Sequence, residues 1–143
     1  MEKTIKIFHY ISFIKYPLML LGVFFSYRPL FFPDASPGMF ADQNTALIFI
    51  GLALSLDSLK DYNKLTWLDK KVYHRPKVAQ GYFFIAGIII AFFIGVGIWG
   101  YFIAADTPVG ELSFGLIVLA IGMIGLLKSG IDATMSYIKE ERK

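Results

Sequence analysis

The sequence predicts an all-α integral membrane protein: a four-helix bundle of antiparallel, up-and-down spans with both termini in the cytoplasm. Three observations carry this. The chain has 143 residues, of which 56% are hydrophobic and only 17% charged, less charge than soluble domains of this size usually hold. Four long apolar runs divide it, close to the length a helix needs to cross a hydrocarbon core of about 30 Å. Basic residues collect at every second gap between those runs, as the positive-inside rule requires of cytoplasmic segments.

Span 1 is placed at residues 7–27. It resembles a secretory signal only superficially, because Lys15 interrupts the apolar region and no small-residue cleavage site follows promptly. Pro17, two residues on, removes one helix hydrogen bond and frees the Phe13 carbonyl. Span 2, residues 44–59, is short, since its apolar stretch stops at Asp57. It must stand nearly upright or use polar residues at its inner end. Leu59, Tyr62, Leu65 and Leu68 then recur every third residue, with no Gly or Pro before Pro76. That spacing predicts a cytoplasmic helical extension over residues 60–74. Spans 3 and 4 are placed at residues 81–104 and 111–127. The last helix is expected to continue past Ile131 and Tyr137, although Gly130 weakens it by about 1 kcal/mol relative to Ala.

Charge sets the orientation. Lys60, Lys64, Lys70, Lys71, Arg75 and Lys77 lie between spans 2 and 3, and Lys3, Lys6, Lys139, Arg142 and Lys143 lie at the termini. Residues 28–43 hold Arg28 alone, beside Asp34 and Asp42, and residues 105–110 hold no basic residue. These counts place the chain in the inner (cytoplasmic) membrane as a multi-pass protein. They also account for the net charge of +3 without a nucleic-acid partner. The outer loop contains Pro29, Pro33 and Pro37, which should prevent a regular helix through it. Its Phe31, Phe32, Met39 and Phe40 suit a segment resting on the membrane interface, or a lip facing a partner.

Lipid gives little hydrophobic drive for helix pairing, so small residues mark close contacts. Gly87, Ala91 and Gly95 in span 3, Gly51 and Ser55 in span 2, and Gly125 and Ser129 in span 4 recur at four-residue spacing. They predict tight packing inside the bundle, with Phe93 turned toward lipid; a homo-oligomer contact through span 3 is the alternative. Gly95, Gly97 and Gly100 match G-x-G-x-x-G, but inside an apolar run instead of between a strand and a helix, so no nucleotide site is implied.

Ionisable groups inside the bilayer are the candidate functional site. Lys15 lies about 18 Å, and Asp57 about 20 Å, from the outer ends of their spans at 1.5 Å per residue. Matched depth allows them to pair. Lys128 lies deeper toward the cytoplasm, with Asp132 one turn beyond. The four together read either as structural pairs or as an ion, proton or partner-gripping cluster.

Nothing points to catalysis. The chain has no Cys, which excludes disulfides, iron–sulfur clusters and thiol nucleophiles. His9 is placed near the cytoplasmic end of span 1 and His74 in a cytoplasmic loop, so they do not face each other within the bundle as a bis-His haem requires, and no metal-protease or nucleophile motif occurs. The sequence therefore predicts no enzyme and no cofactor. It favours a non-catalytic inner-membrane subunit, bathed in lipid and packed against a larger membrane-protein complex. The alternatives are a small homo-oligomeric channel or transporter, with its polar site near the cytoplasmic side, and a membrane immunity protein.

Overall fold

The computed structural model describes residues 10–11, 13–35, 38–58 and 76–141; the expected extension over residues 60–74 and both histidines lie outside them. Four α-helices account for most of the described chain: α1 (Lys15–Phe31), α2 (Met39–Asp57), α3 (Pro76–Phe102) and α4 (Pro108–Glu141), with a 3-10 turn at Pro33–Ala35. Three helical segments, Met39–Asp57, Ala79–Phe102 and Pro108–Met135, are long and apolar enough to cross a membrane. α1 is shorter, at 17 residues.

Local sequence explains the helix ends. Thr107 precedes Pro108, and proline is favoured at a first helical position because its missing N–H would have no intrahelical partner there. The Gly110 N–H reaches back to Thr107 Oγ1 at 3.4 Å, and the Glu111 N–H to the Thr107 carbonyl at 3.2 Å. Gly130 does not stop α4, which runs on to Glu141; Gly130 is buried and its carbonyl accepts the Thr134 hydroxyl at 2.9 Å. Ser113 and Ser55 likewise return their hydroxyls to carbonyls four residues back, Val109 and Gly51. Such bonds satisfy a hydroxyl where no water is available.

The first helix differs from its expected bounds at both ends. Pro17 has no N–H for the Phe13 carbonyl, which instead accepts from the Tyr16 N–H at 3.2 Å. The Phe13 and Ile14 N–H groups bond three residues back, to Tyr10 and Ile11. This tight 3-10-like path interrupts the helix inside the region read as span 1, so α1 begins at Lys15. At the other end α1 passes through Pro29 to Phe31. A single lost hydrogen bond close to a helix end is tolerated, and the real connection shortens to residues 32–38.

α2 packs against α1 and α4, and α4 against α2 and α3. Among the described residues no comparably extensive contact joins α1 to α3 or α4. The helices thus follow one another in the order α1, α2, α4, α3, with α2 and α4 at the centre. Glycine makes that centre. A Cβ on Gly51 would lie 2.7 Å from the Val118 carbonyl and 2.8 Å from Leu119 Cα, and one on Gly122 would fall on the Gly51 carbonyl. Gly125 sits against Ser58, and Ser55 and Ser129 are half-buried.

On α3 the packing face is not the one expected. A Cβ added at Gly87 or Gly95 would meet nothing within 4 Å, and Ala91 is exposed. The face against α4 is formed by Ile90, Gly97 and Gly100, with Phe93 half-buried instead of lipid-facing. A Cβ at Gly97 would approach the Ser113 carbonyl to 3.1 Å, and one at Gly100 the Val109 carbonyl to 2.9 Å. The two stripes share the same helical periodicity; the second wins because its glycines let the α3 and α4 backbones approach.

Candidate functional site

Two ion pairs join α1 to α2. The Lys15 ammonium donates to Asp57 Oδ1, and Lys15 also lies 5.1 Å from the centre of the Tyr16 ring. Arg28 Nη1 donates to Asp42 Oδ1 at 3.3 Å, with its guanidinium 5.7 Å from the centre of the Phe25 ring. Both cations belong to α1 and both carboxylates to α2. The pairs are centred within one residue of each other, at Ala35 and Ser36, the middle of the α1–α2 connection.

The two differ in exposure. The Lys15 and Asp57 side chains are 12% and 33% exposed, those of Arg28 and Asp42 25% and 2%. Asp42 is thus the most deeply placed charge of the described residues. It lies in the first turn of α2, where the positive end of the helix dipole favours a carboxylate. Arg28, in the last turn of α1, is equally well placed for a cation.

Asp42 opens a run of three consecutive polar residues that reach two different helices. Asp42 holds Arg28 of α1. Gln43 Nε2 donates to the Ser26 carbonyl of α1 at 3.0 Å. Asn44 Oδ1 accepts the backbone N–H of Gly115 on α4 at 2.6 Å. Glycine is needed there, since a Cβ at Gly115 would lie 2.7 Å from both the Asn44 carbonyl and Oδ1. One stretch of α2 thereby ties α1 and α4 to a fixed register.

The candidate charges of the sequence divide accordingly. Lys15 and Asp57 come together. Lys128 and Asp132 are exposed on α4. A Lys four residues before an Asp is the less favourable order along a helix, and an exposed pair of this kind has little to gain. Among the described residues no group of three His, Asp or Glu side chains gathers around a metal-sized space.

Sequence reading missed Arg28–Asp42, because both residues were assigned to a proline-rich loop. The common centre of the two pairs is the signal that would have found it. With Lys15 opposite Asp57, the same register carries Arg28 to Asp42.

The apolar surface completes the picture. Phe84, Phe92, Phe114 and Ile121 are all more than half exposed on the long helices. Such side chains are at home in hydrocarbon, and the three spanning-length helices point to a multi-pass helical membrane protein. No protein-family model, curated protein or solved structure matches the chain.

Proposed function

We propose that the protein is a non-catalytic subunit of the inner membrane that packs laterally against a larger membrane-protein partner. In this reading all four helices span the bilayer, α1 as a short span, with alternating direction and both termini cytoplasmic. The clustering of Lys and Arg at alternate gaps supports that orientation.

One observation carries the subunit role. α3 flanks the assembly and turns Gly87, Ala91 and Gly95 outward, where an added Cβ at either glycine meets none of the described residues within 4 Å. Small residues on an outer helix face allow a neighbouring span to approach closely, which lipid tails do not require. The charged groups favour the same reading. Lys15–Asp57 and Arg28–Asp42 are each engaged within the α1–α2 pair, as residues that hold a scaffold would be.

Tagged protein at native expression, extracted in mild detergent, tests the proposal. A larger membrane protein should co-purify in fixed stoichiometry, and Ala91→Leu should abolish that association without lowering the melting temperature of the isolated chain. Recovery of a pure homo-oligomer would reject the proposal in favour of the channel or transporter reading.

A further inference from the structure

The hairpins α1–α2 and α3–α4 pack alike and differ at one level. In the first, a Cβ on Gly22 would lie 2.7 Å from Ile50 Cγ1 and 3.3 Å from the Ala46 carbonyl. In the second, a Cβ on Gly97 would lie 2.7 Å from Ile117 Cγ1 and 3.1 Å from the Ser113 carbonyl. Lys15 stands seven residues before Gly22, and Asp57 seven after Ile50. Ile90 and Ile124 hold the same positions relative to Gly97 and Ile117. An ion pair in the first hairpin thus takes the place of two isoleucines in the second.

The same contacts fix relative depth. Gly115 lies against Leu47, Gly51 against Leu119 and Gly125 against Ser58, so α2 and α4 run parallel in constant register. Followed across the four helices, these contacts put Tyr27 and Tyr101 level to within about a residue, or ~1.5 Å. Both are exposed, as are Tyr16 beside Lys15 and Tyr82 near the start of α3. Exposed tyrosines settle where hydrocarbon meets water. The outer boundary is therefore even, and the inner one is not. Tyr16 lies 11 residues from Tyr27, about 16 Å, whereas Tyr82 lies 19 residues from Tyr101, about 28 Å. Lys15–Asp57 marks the same higher level, about 20 Å from Arg28. Against a hydrocarbon core of about 30 Å, α3 fits and the α1–α2 side falls short by about 10 Å. Tilting the molecule would only move this step to the outer boundary.

We propose that the protein thins the bilayer on one side: beside α1 and α2 the headgroups of the cytoplasmic leaflet are drawn about 10 Å inward to Lys15–Asp57, while beside α3 the leaflet keeps its full depth. The inference rests on the four-span reading above. Asp57 forces the step. Its side chain is 33% exposed, and a carboxylate facing hydrocarbon is costly. It is too short to reach a boundary about 10 Å away, and it holds the ammonium of Lys15, the longer side chain. Water and headgroups therefore come to the pair. The surface this creates is a lipid-binding one, a dent lined by Lys15, Tyr16 and Asp57, where a polar group has less hydrocarbon to cross.

The absence of cysteine makes the step measurable. Nitroxide labels on Met19→Cys and Phe92→Cys sit at equal height in the fold, and both positions are exposed. Met19 is about 6 Å from the level of Lys15, whereas Phe92 is about 14 Å from either tyrosine of α3. Depth is read in dioleoyl phosphatidylcholine nanodiscs from collision with oxygen and with a water-soluble nickel chelate. The label at 19 should lie about 8 Å shallower than the label at 92. Replacing the pair by the residues of the second hairpin, Lys15→Ile with Asp57→Ile, should close most of that gap and leave the label at 92 where it was. Equal depths in the otherwise native protein overturn the proposal, whether or not the charge-free variant folds. A gap that persists in a folded charge-free variant overturns it too, because the pair then does not draw the boundary in. Free access of the chelate to the label at 92 has a different meaning: α3 does not lie in the bilayer, and the four-span reading falls together with the inference built on it.

Discussion

Lys15 is the first residue of α1 and Asp57 the last of α2, so each stands at the end of its helix where the dipole disfavours its charge, and each is held by the other. An unfavourable helix-end charge is worth about 0.3–1 kcal/mol. The pair offsets both of these unfavourable terms. Arg28 and Asp42 have the opposite arrangement: each occupies the favourable end of its own helix, and their constraint is burial.

This gives a double-mutant test for the first pair. Lys15→Met and Asp57→Asn should each lower the melting temperature in detergent, and the double variant should recover part of the loss, because no lone ion then remains. A coupling of about 1 kcal/mol or more is expected for contacting charges. Strictly additive losses would mean that the two side chains do not share an interaction in solution.

The two ion pairs should respond unequally to loss of the cation. Removing Lys15 leaves Asp57, whose side chain is already 33% exposed and can be reached by water. Removing Arg28 leaves Asp42, whose side chain is only 2% exposed. Arg28→Ala should therefore destabilise the fold more than Lys15→Ala, because the deeply buried Asp42 carboxylate loses its cation where water cannot replace it. Equal losses in thermal denaturation would contradict the burial difference.

Glycine substitutions separate the two faces of α3 from the centre of the fold. Gly122→Ala places a methyl group on the Gly51 carbonyl, and should lower stability by about 1–3 kcal/mol as the α2–α4 backbones are forced apart. Ala91→Leu adds more volume, but on an exposed face. It should change the stability of the isolated chain by about 0.5 kcal/mol or less. The reverse ranking would place the outward stripe inside the fold.

The proposed orientation is open to direct labelling. Cysteines at Asp34 and Asp106 should react with an impermeant thiol reagent in intact cells, and cysteines at Lys70 and Glu141 should not. Reaction at position 70 from outside would reject the arrangement with both ends in the cytoplasm.

The sequence by itself determined that this chain is helical and apolar enough for a membrane, because those properties follow from composition and run length alone. It also brought Lys15 and Asp57 to matched depth, since rise per residue is fixed. It could not decide which helix face meets which neighbour. Gly87, Ala91 and Gly95 share a face as surely as Ile90, Gly97 and Gly100 line another, and periodicity ranks neither. Only the tertiary structure selected the second, by the fit of Gly97 and Gly100 against the Val109 and Ser113 carbonyls. The same holds for α2 against α4, where Gly51 meets Gly122. In hydrocarbon no general hydrophobic force sorts inside from outside, so the choice falls to backbone fit and a few polar bonds. Those polar bonds were the least legible part. Arg28 and Asp42 looked like loop residues beside three prolines, until α1 proved to continue through Pro29 and α2 to begin at Met39.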